Sequence, residues 1–243
     1  MHKTLKTPQG RDIAYHRTEG RGPTVVFLGG FKSDMAGTKA VHLETWAKAA
    51  GRAYVRLDYS GHGISSGTFE EGSIGDWVED SCAVLELIEG PLVLVGSSMG
   101  GWIALQIARA QPERIAGLVG IAAAPDFTED GFWANFPPHM REALEREGKV
   151  SLPSDYGEPY VITKRLIEEG RERLVLRTPL SLPFPVRLLQ GTEDTSVTTE
   201  TAVRLLEHAD SPDMRLTLVK GADHSFSSET CLPLIVQAIE EVS

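Results

Sequence analysis

Short apolar runs alternating with amphipathic stretches constrain the fold of this chain more than any other feature. Strand candidates recur at Thr24 to Leu28, Ala53 to Leu57, Leu92 to Val95, Ile115 to Ile121, Val186 to Gln190 and Leu216 to Val219. Most precede a helical pattern: Thr38 to Ala50, Ile74 to Glu89, Trp102 to Gln111, Thr199 to Ala209 and Glu229 to Val242 carry apolar residues three and four apart. Strands that alternate with helices pair in parallel through right-handed crossovers, with helices covering both faces of the sheet. The opening LKTPQGRDIAYH differs, because two short runs flank a Pro-Gln-Gly turn and predict a hairpin of antiparallel edge strands. The expected class is α/β, with a mostly parallel eight-stranded sheet.

A chain of 243 residues suffices for one large domain that needs no disulfide or metal staple. Its net charge of −10 opposes phosphate backbones and anionic lipid, so nucleic acid is not an expected partner. Gly90 to Ala108 carries no charge, yet Pro91, Gly96, Gly100 and Gly101 interrupt it. A short strand, a sharp turn and a helix fit that stretch better than a membrane span. Cys82 and Cys231 stand far apart without a C-x-x-C pattern, and read as small core or boundary residues in a reducing compartment.

One segment breaks the rhythm. Between the strand ending at Ile121 and the one beginning near Val186, residues 125 to 182 hold six of the fourteen prolines and several large aromatics. In FWANFPPHMREAL, Phe132, Phe136, Met140 and Leu144 repeat every fourth residue, although Pro137 and Pro138 must break or begin a helix there. An insertion of this length is expected to form a small, mostly helical lid between core segments 1–124 and 183–243. Phe132, Trp133, Phe136 and Met140 are its candidate substrate-pocket residues, with ordinary core packing as the rival role.

Gly96-Ser97-Ser98-Met99-Gly100 fits G-x-S-x-G only when Ser98 is central, since a motif centred on Ser97 needs glycine where Val95 stands. A strand turning abruptly into a helix holds the central serine in a strained conformation with its oxygen exposed, and the N–H of the next residue, Met99, can face an oxyanion. A serine hydroxyl needs a base that is itself oriented by an acid. Downstream, FPVRLLQGTEDTSV delivers Glu193 and Asp194, and LTLVKGADHSF delivers Asp223 and His224, both beyond strand ends. Among the seven histidines, His224 alone combines strand-end position with the order Ser, acid, His. Asp194 is favoured as the acid through G-x-x-D-x-x-V, formed by Gly191, Asp194 and Val197; Asp223 reads as turn-forming.

Gly29-Gly30 after TVVFL, DYSGHGISSG, GSSMGG, GTEDTSV and GADHSF together resemble the α/β-hydrolase superfamily over nearly the whole chain. GGFKSDMAGTKA, VRLDYSGHGISSG, LVGSSMGGW and PVRLLQGTEDTSV are similar to the abhydrolase-domain family of acyl-protein thioesterases and acyl-glucuronide esterases, and MAGTKA at Met35 to Ala40 is the most distinctive part. The resemblance implies ester or thioester hydrolysis with Ser98, Asp194 and His224 as triad, and the backbone N–H groups of Phe31 and Met99 as oxyanion donors. It also implies a scaffold role for Asp58, His62 and Ser66. Gly29 replaces a histidine common in the superfamily, which predicts a more mobile oxyanion loop. Unlike mitochondrial members, the chain opens without an Arg- and Ser-rich stretch, so a cytoplasmic enzyme is expected.

The expected substrate is a small-molecule ester or thioester, with an acylated protein as a further candidate; neither metal nor organic cofactor is called for. Ser98 excludes the aspartate-nucleophile chemistry of dehalogenases and epoxide hydrolases. Carbon–carbon bond hydrolysis, lyase chemistry on the same triad and a ligand-receptor role stay open at the level of sequence.

Overall fold

The computed structural model describes residues 2–153 and 159–243. Eight strands form one sheet: β1 (Lys3–Lys6), β2 (Asp12–Thr18), β3 (Arg21–Leu28), β4 (Arg52–Leu57), β5 (Leu92–Ser97), β6 (Ile115–Ile121), β7 (Val186–Gly191) and β8 (Met214–Val219). They lie in the order β1-β2-β4-β3-β5-β6-β7-β8. From β4 to β8 all neighbours are parallel, whereas the opening hairpin adds β2 antiparallel to β4 and β1 antiparallel to β2. The Pro8-Gln9-Gly10 turn closes through Thr7 and Arg11, with Gly10 at φ 87°.

Alternation along the central strands divides the core in two. On β3 and β5, Val25, Phe27, Val93 and Val95 face the layer of α1 (Thr38–Ala50) and α7 (Leu232–Glu241). Val26, Leu28, Leu92 and Leu94 face α2 (Ile74–Leu85) and α3 (Met99–Ala110), and Leu205 of α6 (Thr199–His208) joins that second core. β5 and β7 are buried along their whole length; β5 reads as an apolar run up to Gly96, whereas β7 buries Arg187 by pairing it with Glu241 and Asp213, and Gln190 by pairing it with Asp194.

Helix ends differ from expectation where local chemistry takes over. α2 stops at Leu85 rather than Glu89 because Leu87 and Ile88 donate three residues back, tightening the chain toward Gly90. α3 begins three residues earlier than Trp102, since Ser98 itself is the residue that precedes its first turn. Ser73 caps α2 by accepting from the N–H of Asp76. Cys231 is buried at the start of α7 and Cys82 half-buried on α2, both as free thiols. Among the described residues no helix is long and apolar enough to cross a membrane.

The insertion is less helical than the sequence suggests. It runs through a π-helical turn (Thr128–Phe132), a 3-10 turn (Trp133–Asn135), α4 (Pro138–Glu147), an antiparallel hairpin (Lys149–Leu152 with Tyr160–Thr163) and α5 (Lys164–Arg171). Its ends are tied together by Asp126, fully buried at φ 58°. That carboxylate accepts from the N–H of Val175 at 2.8 Å, the N–H of Leu176 at 3.1 Å and the Arg177 guanidinium at 2.6 Å.

Candidate active site

The turn from β5 into α3 is too tight for side chains at its glycines. A Cβ on Gly96 would lie 2.3 Å from the carbonyl oxygen of Gly100, and one on Gly100 would lie 2.0 Å from that of Leu28. Between them Ser98 is held at φ 54°, a left-handed conformation that a non-glycine residue adopts only under restraint. Its N–H donates to Ile121 at 2.9 Å and its carbonyl accepts from Gly101 and Ala124, so the end of β6 and the first turn of α3 fix it. Ser97, one residue earlier, is still in the sheet opposite Ile121 of β6.

Two further loops meet Ser98 at the carboxyl edge of the sheet. His224, beyond β8, places Nε2 3.0 Å from Ser98 Oγ and Nδ1 2.8 Å from Asp194 Oδ2. Asp194, beyond β7, has a fully buried side chain. Its Oδ1 accepts from the N–H groups of Ser196 at 2.9 Å and Val197 at 2.8 Å, and its Oδ2 also accepts from the Gln190 amide at 2.9 Å. Burial alone would raise this carboxyl, but hydrogen bonds from His224, the Val197 N–H and Gln190 outweigh it and hold Asp194 below the ordinary carboxylate value. The neighbouring Glu193 is exposed. Asp223 accepts from Ser225 Oγ at 2.9 Å and the Phe226 N–H at 3.0 Å, the bonding of a turn.

The loop after β3 lies against the serine, and a Cβ on Gly30 would meet Ser98 Cβ at 3.4 Å. In place of the expected looseness at Gly29, side chains from the DYSGHGISSG stretch brace this loop. Tyr59 Oη donates to the carbonyl of Gly29 at 3.1 Å, and His62 Nε2 accepts from the N–H of Lys32 at 3.3 Å. Burial pushes His62 down to about 4, so its ring stays neutral and keeps an acceptor for Lys32 while Nδ1–H bonds the Ser60 carbonyl. Asp58 accepts from the N–H groups of Met35 at 2.6 Å and Ile64 at 3.0 Å, and Ser66 Oγ accepts from the N–H of Asp12 at 2.8 Å. All three are therefore scaffold.

A cavity of about 790 Å³ opens beside Ser98 and His224, within the usual range for small-molecule sites. Its apolar side comes from Phe27, Phe31, Phe127, Phe132, Leu152 and Tyr160. Phe31 is the hub, meeting Phe69, Phe127, Phe132 and Tyr160 edge-to-face at 4.7 to 6.0 Å between centroids. Of the four lid residues expected to line a pocket, Phe132 does and Trp133, Phe136 and Met140 do not. Phe136 is 5% exposed in the main core, stacked on Phe132. Met140 packs on the core from α4. Trp133 has the guanidinium groups of Arg141 at 5.2 Å and Arg171 at 4.5 Å over its ring. Phe132 and Phe136 still stack, but the irregular turns before Phe136 and the restart of the helix at Pro137 end the period of four, so that the row does not continue along one helix face to Met140. Phe127 and Tyr160 were hidden from sequence reading because neither belongs to a periodic pattern. Among the described residues no cluster of His, Cys, Asp and Glu side chains could hold a metal ion.

The pattern of the family described as alpha/beta hydrolase family matches residues 25–231. The rat protein named palmitoyl-protein thioesterase ABHD10, mitochondrial (Rattus norvegicus), is 37% identical over 241 residues, covering 98% of this chain and 81% of its own length. Its human counterpart (Homo sapiens) is 34% identical, with 98% and 78% covered. Among solved structures, a putative hydrolase from Agrobacterium vitis S4 superposes with a TM-score of 0.96 at 36% identity, over 100% of this chain and 98% of that one. Mouse alpha/beta hydrolase domain-containing protein 10 does so with a TM-score of 0.92 at 34% identity, over 99% and 97%. These relatives overturn the expected cytoplasmic compartment, because the curated proteins that align along nearly the whole chain are named as mitochondrial. The expectation rested on the chain's opening residues and on its unpaired cysteines, and neither fixes the compartment of a folded domain. With the family pattern running from Val25 to Cys231, and relatives above 30% identity along 98% of its length, this chain belongs to the alpha/beta hydrolase family and is a hydrolase.

Proposed function

We propose that the enzyme cleaves carboxylic esters or thioesters through an acyl-enzyme on Ser98. The carrying observation is the unbroken hydrogen-bond chain from Ser98 Oγ through His224 to Asp194, at 3.0 and 2.8 Å. His224 Nε2 takes the Oγ proton as Oγ bonds the acyl carbonyl carbon, and Asp194 holds the ring with Nδ1–H toward itself. The backbone N–H groups of Phe31 and Met99 receive the carbonyl oxygen as it gains negative charge. Collapse of that adduct breaks the bond to the leaving oxygen or sulfur, and His224 returns its proton to the departing alcohol or thiol. Water then adds to the acyl-enzyme with His224 again as base, and the acid leaves with Ser98 restored.

The insertion 125–182 acts in this reading as a cap, with Phe127, Phe132, Leu152 and Tyr160 receiving the acyl chain. The relatives' name, palmitoyl-protein thioesterase, supports a long acyl chain on a thioester, including one carried by a protein; an acyl-glucuronide ester fits the same chemistry. The test is a panel of p-nitrophenyl esters and acyl thioesters of increasing length, read alongside fluorophosphonate labelling. Ser98→Ala loses turnover by about 10⁴-fold or more and loses labelling, whereas Ser97→Ala keeps the label. Labelling retained in Ser98→Ala overturns the assignment.

A further inference from the structure

The distinctive stretch Met35–Ala40, MAGTKA, takes no part in the reaction as derived above. In the fold it runs from the loop after β3 into the first turn of α1. Met35 is buried, with its N–H on Asp58 and its carbonyl accepting from Arg56. Ala40 is fully buried, and its carbonyl accepts from Tyr54 Oη at 2.8 Å. Lys39, one residue earlier, lines the cavity beside His224 and Ser225. Its ammonium donates to the carbonyl of Ser225, with Ser227 Oγ 3.4 Å away.

Ser225 directly follows His224, and the same turn holds Phe226 fully buried at φ 48°. A bulky residue adopts that conformation only where its surroundings impose it. Asp223 restrains the turn from within, through the Phe226 N–H and Ser225 Oγ. Lys39 restrains it from α1. Burial lowers the Lys39 ammonium to about 8, with the charge of Asp223 opposing the shift. A lysine whose folded value lies below its unfolded one costs stability at neutral pH, so packing alone favours an apolar side chain of similar volume here.

We propose that Lys39 is a positioning residue for the base: it clamps the Ser225–Ser227 turn to α1 and thereby holds the His224 imidazole against Ser98 Oγ. The inference rests on the Ser98, His224 and Asp194 reading and assigns that site a fourth side chain. The test compares steady-state kinetics and melting temperature of Lys39→Met with Lys39→Cys, before and after alkylation by 2-bromoethylamine, which rebuilds an ammonium of nearly lysine's reach. Wild type treated in parallel controls for Cys82 and Cys231.

Lys39→Met is expected to lower kcat by about 10- to 100-fold, the cost of a small misplacement of a reacting group. KM stays within about twofold and the melting temperature at or above that of wild type. Alkylated Lys39→Cys regains most of the lost kcat. Unchanged kcat in Lys39→Met overturns the proposal, as does a raised KM with kcat intact, which marks a substrate contact. A fall in kcat with a lowered melting temperature and no rescue overturns it too, leaving only a structural role. Ser98→Ala run beside these variants separates the levels: full turnover there removes the triad and this inference together, whereas a silent Ser98→Ala with unaffected Lys39→Met removes the inference alone.

Discussion

At the carboxyl edge of the sheet, Ser98, Asp194 and His224 each follow a strand, whereas the opposite wall of the cavity draws Phe127, Phe132, Leu152 and Tyr160 from a segment outside the sheet. The edge is set by backbone pairing: β5, β7 and β8 lie at fixed spacing, and the loops beyond them inherit it. The wall is set by side chains sorted between cavity, core and surface. Phe132 and Phe136 stack with centroids 6.3 Å apart, yet one lines the cavity and the other fills the core. Substitutions at the edge should therefore act on rate, and substitutions in the wall on stability or chain-length preference, according to where each side chain ended up.

The largest expected effect is at the edge. Asp194→Asn should lower kcat about 10⁴-fold, because the amide no longer fixes the imidazole tautomer. Glu193→Gln should stay within a few-fold of wild type because that side chain is exposed, and so should Asp223→Asn, because the amide oxygen still accepts from Ser225 Oγ and the Phe226 N–H. Turnover of one ester by all three variants checks this, and a crippled Glu193→Gln would move the acid to the wrong side of the loop.

Phe136→Ala should cost about 3 to 5 kcal/mol of stability in urea unfolding, while kcat/KM across C2 to C16 acyl esters keeps the wild-type profile. Phe132→Ala should do the reverse in kind, shifting preference along the same series. A buried methylene is worth about 0.8 kcal/mol, or roughly fourfold in kcat/KM per methylene whose contact changes. An unmoved profile in Phe132→Ala, or a moved one in Phe136→Ala, breaks the division of the wall.

The smallest effect is a pH dependence of opposite sign in the two regions. Asp194 is held below the ordinary value, so its stabilisation is full above about 3.9 and is lost as pH falls through its lowered value. Asp126, which ties the ends of the insertion, is raised by burial despite bonds from Val175, Leu176 and Arg177. Its ionised form costs stability above its raised value, and that cost disappears as pH falls through it. Unfolding free energies measured from pH 7 to 3 should show the gap between wild type and Asp194→Asn closing on acidification, at pH values below the range where the gap to Asp126→Asn moves in wild type's favour.

The same contrast explains what the sequence disclosed. G-x-S-x-G carries its own geometry, since the close approaches at Gly96 and Gly100 exist only in a strand-turn-helix, and the order of Asp194 and His224 follows from strand ends. Helix ends were off where hydrogen bonding rather than periodicity decides, as at Leu87 and Ile88 beyond α2. In the insertion, the period of four joined Phe132 to Phe136 and Met140 only on the assumption of one regular helix, which the π-helical turn and Pro137 interrupt. Lys39 was within reach as part of MAGTKA, but a lysine in the first turn of a helix ordinarily points to water, and only the fold brings Ser225 to it.

The central claim is that Ser98 carries the acyl group. Intact-mass and peptide mass spectrometry after rapid acid quench of wild type with a long-chain acyl thioester tests it most directly. The account predicts one acyl adduct per chain, mapping to the peptide that contains Ser98 and absent from Ser98→Ala. An adduct on another residue, or full turnover by Ser98→Ala, would contradict it.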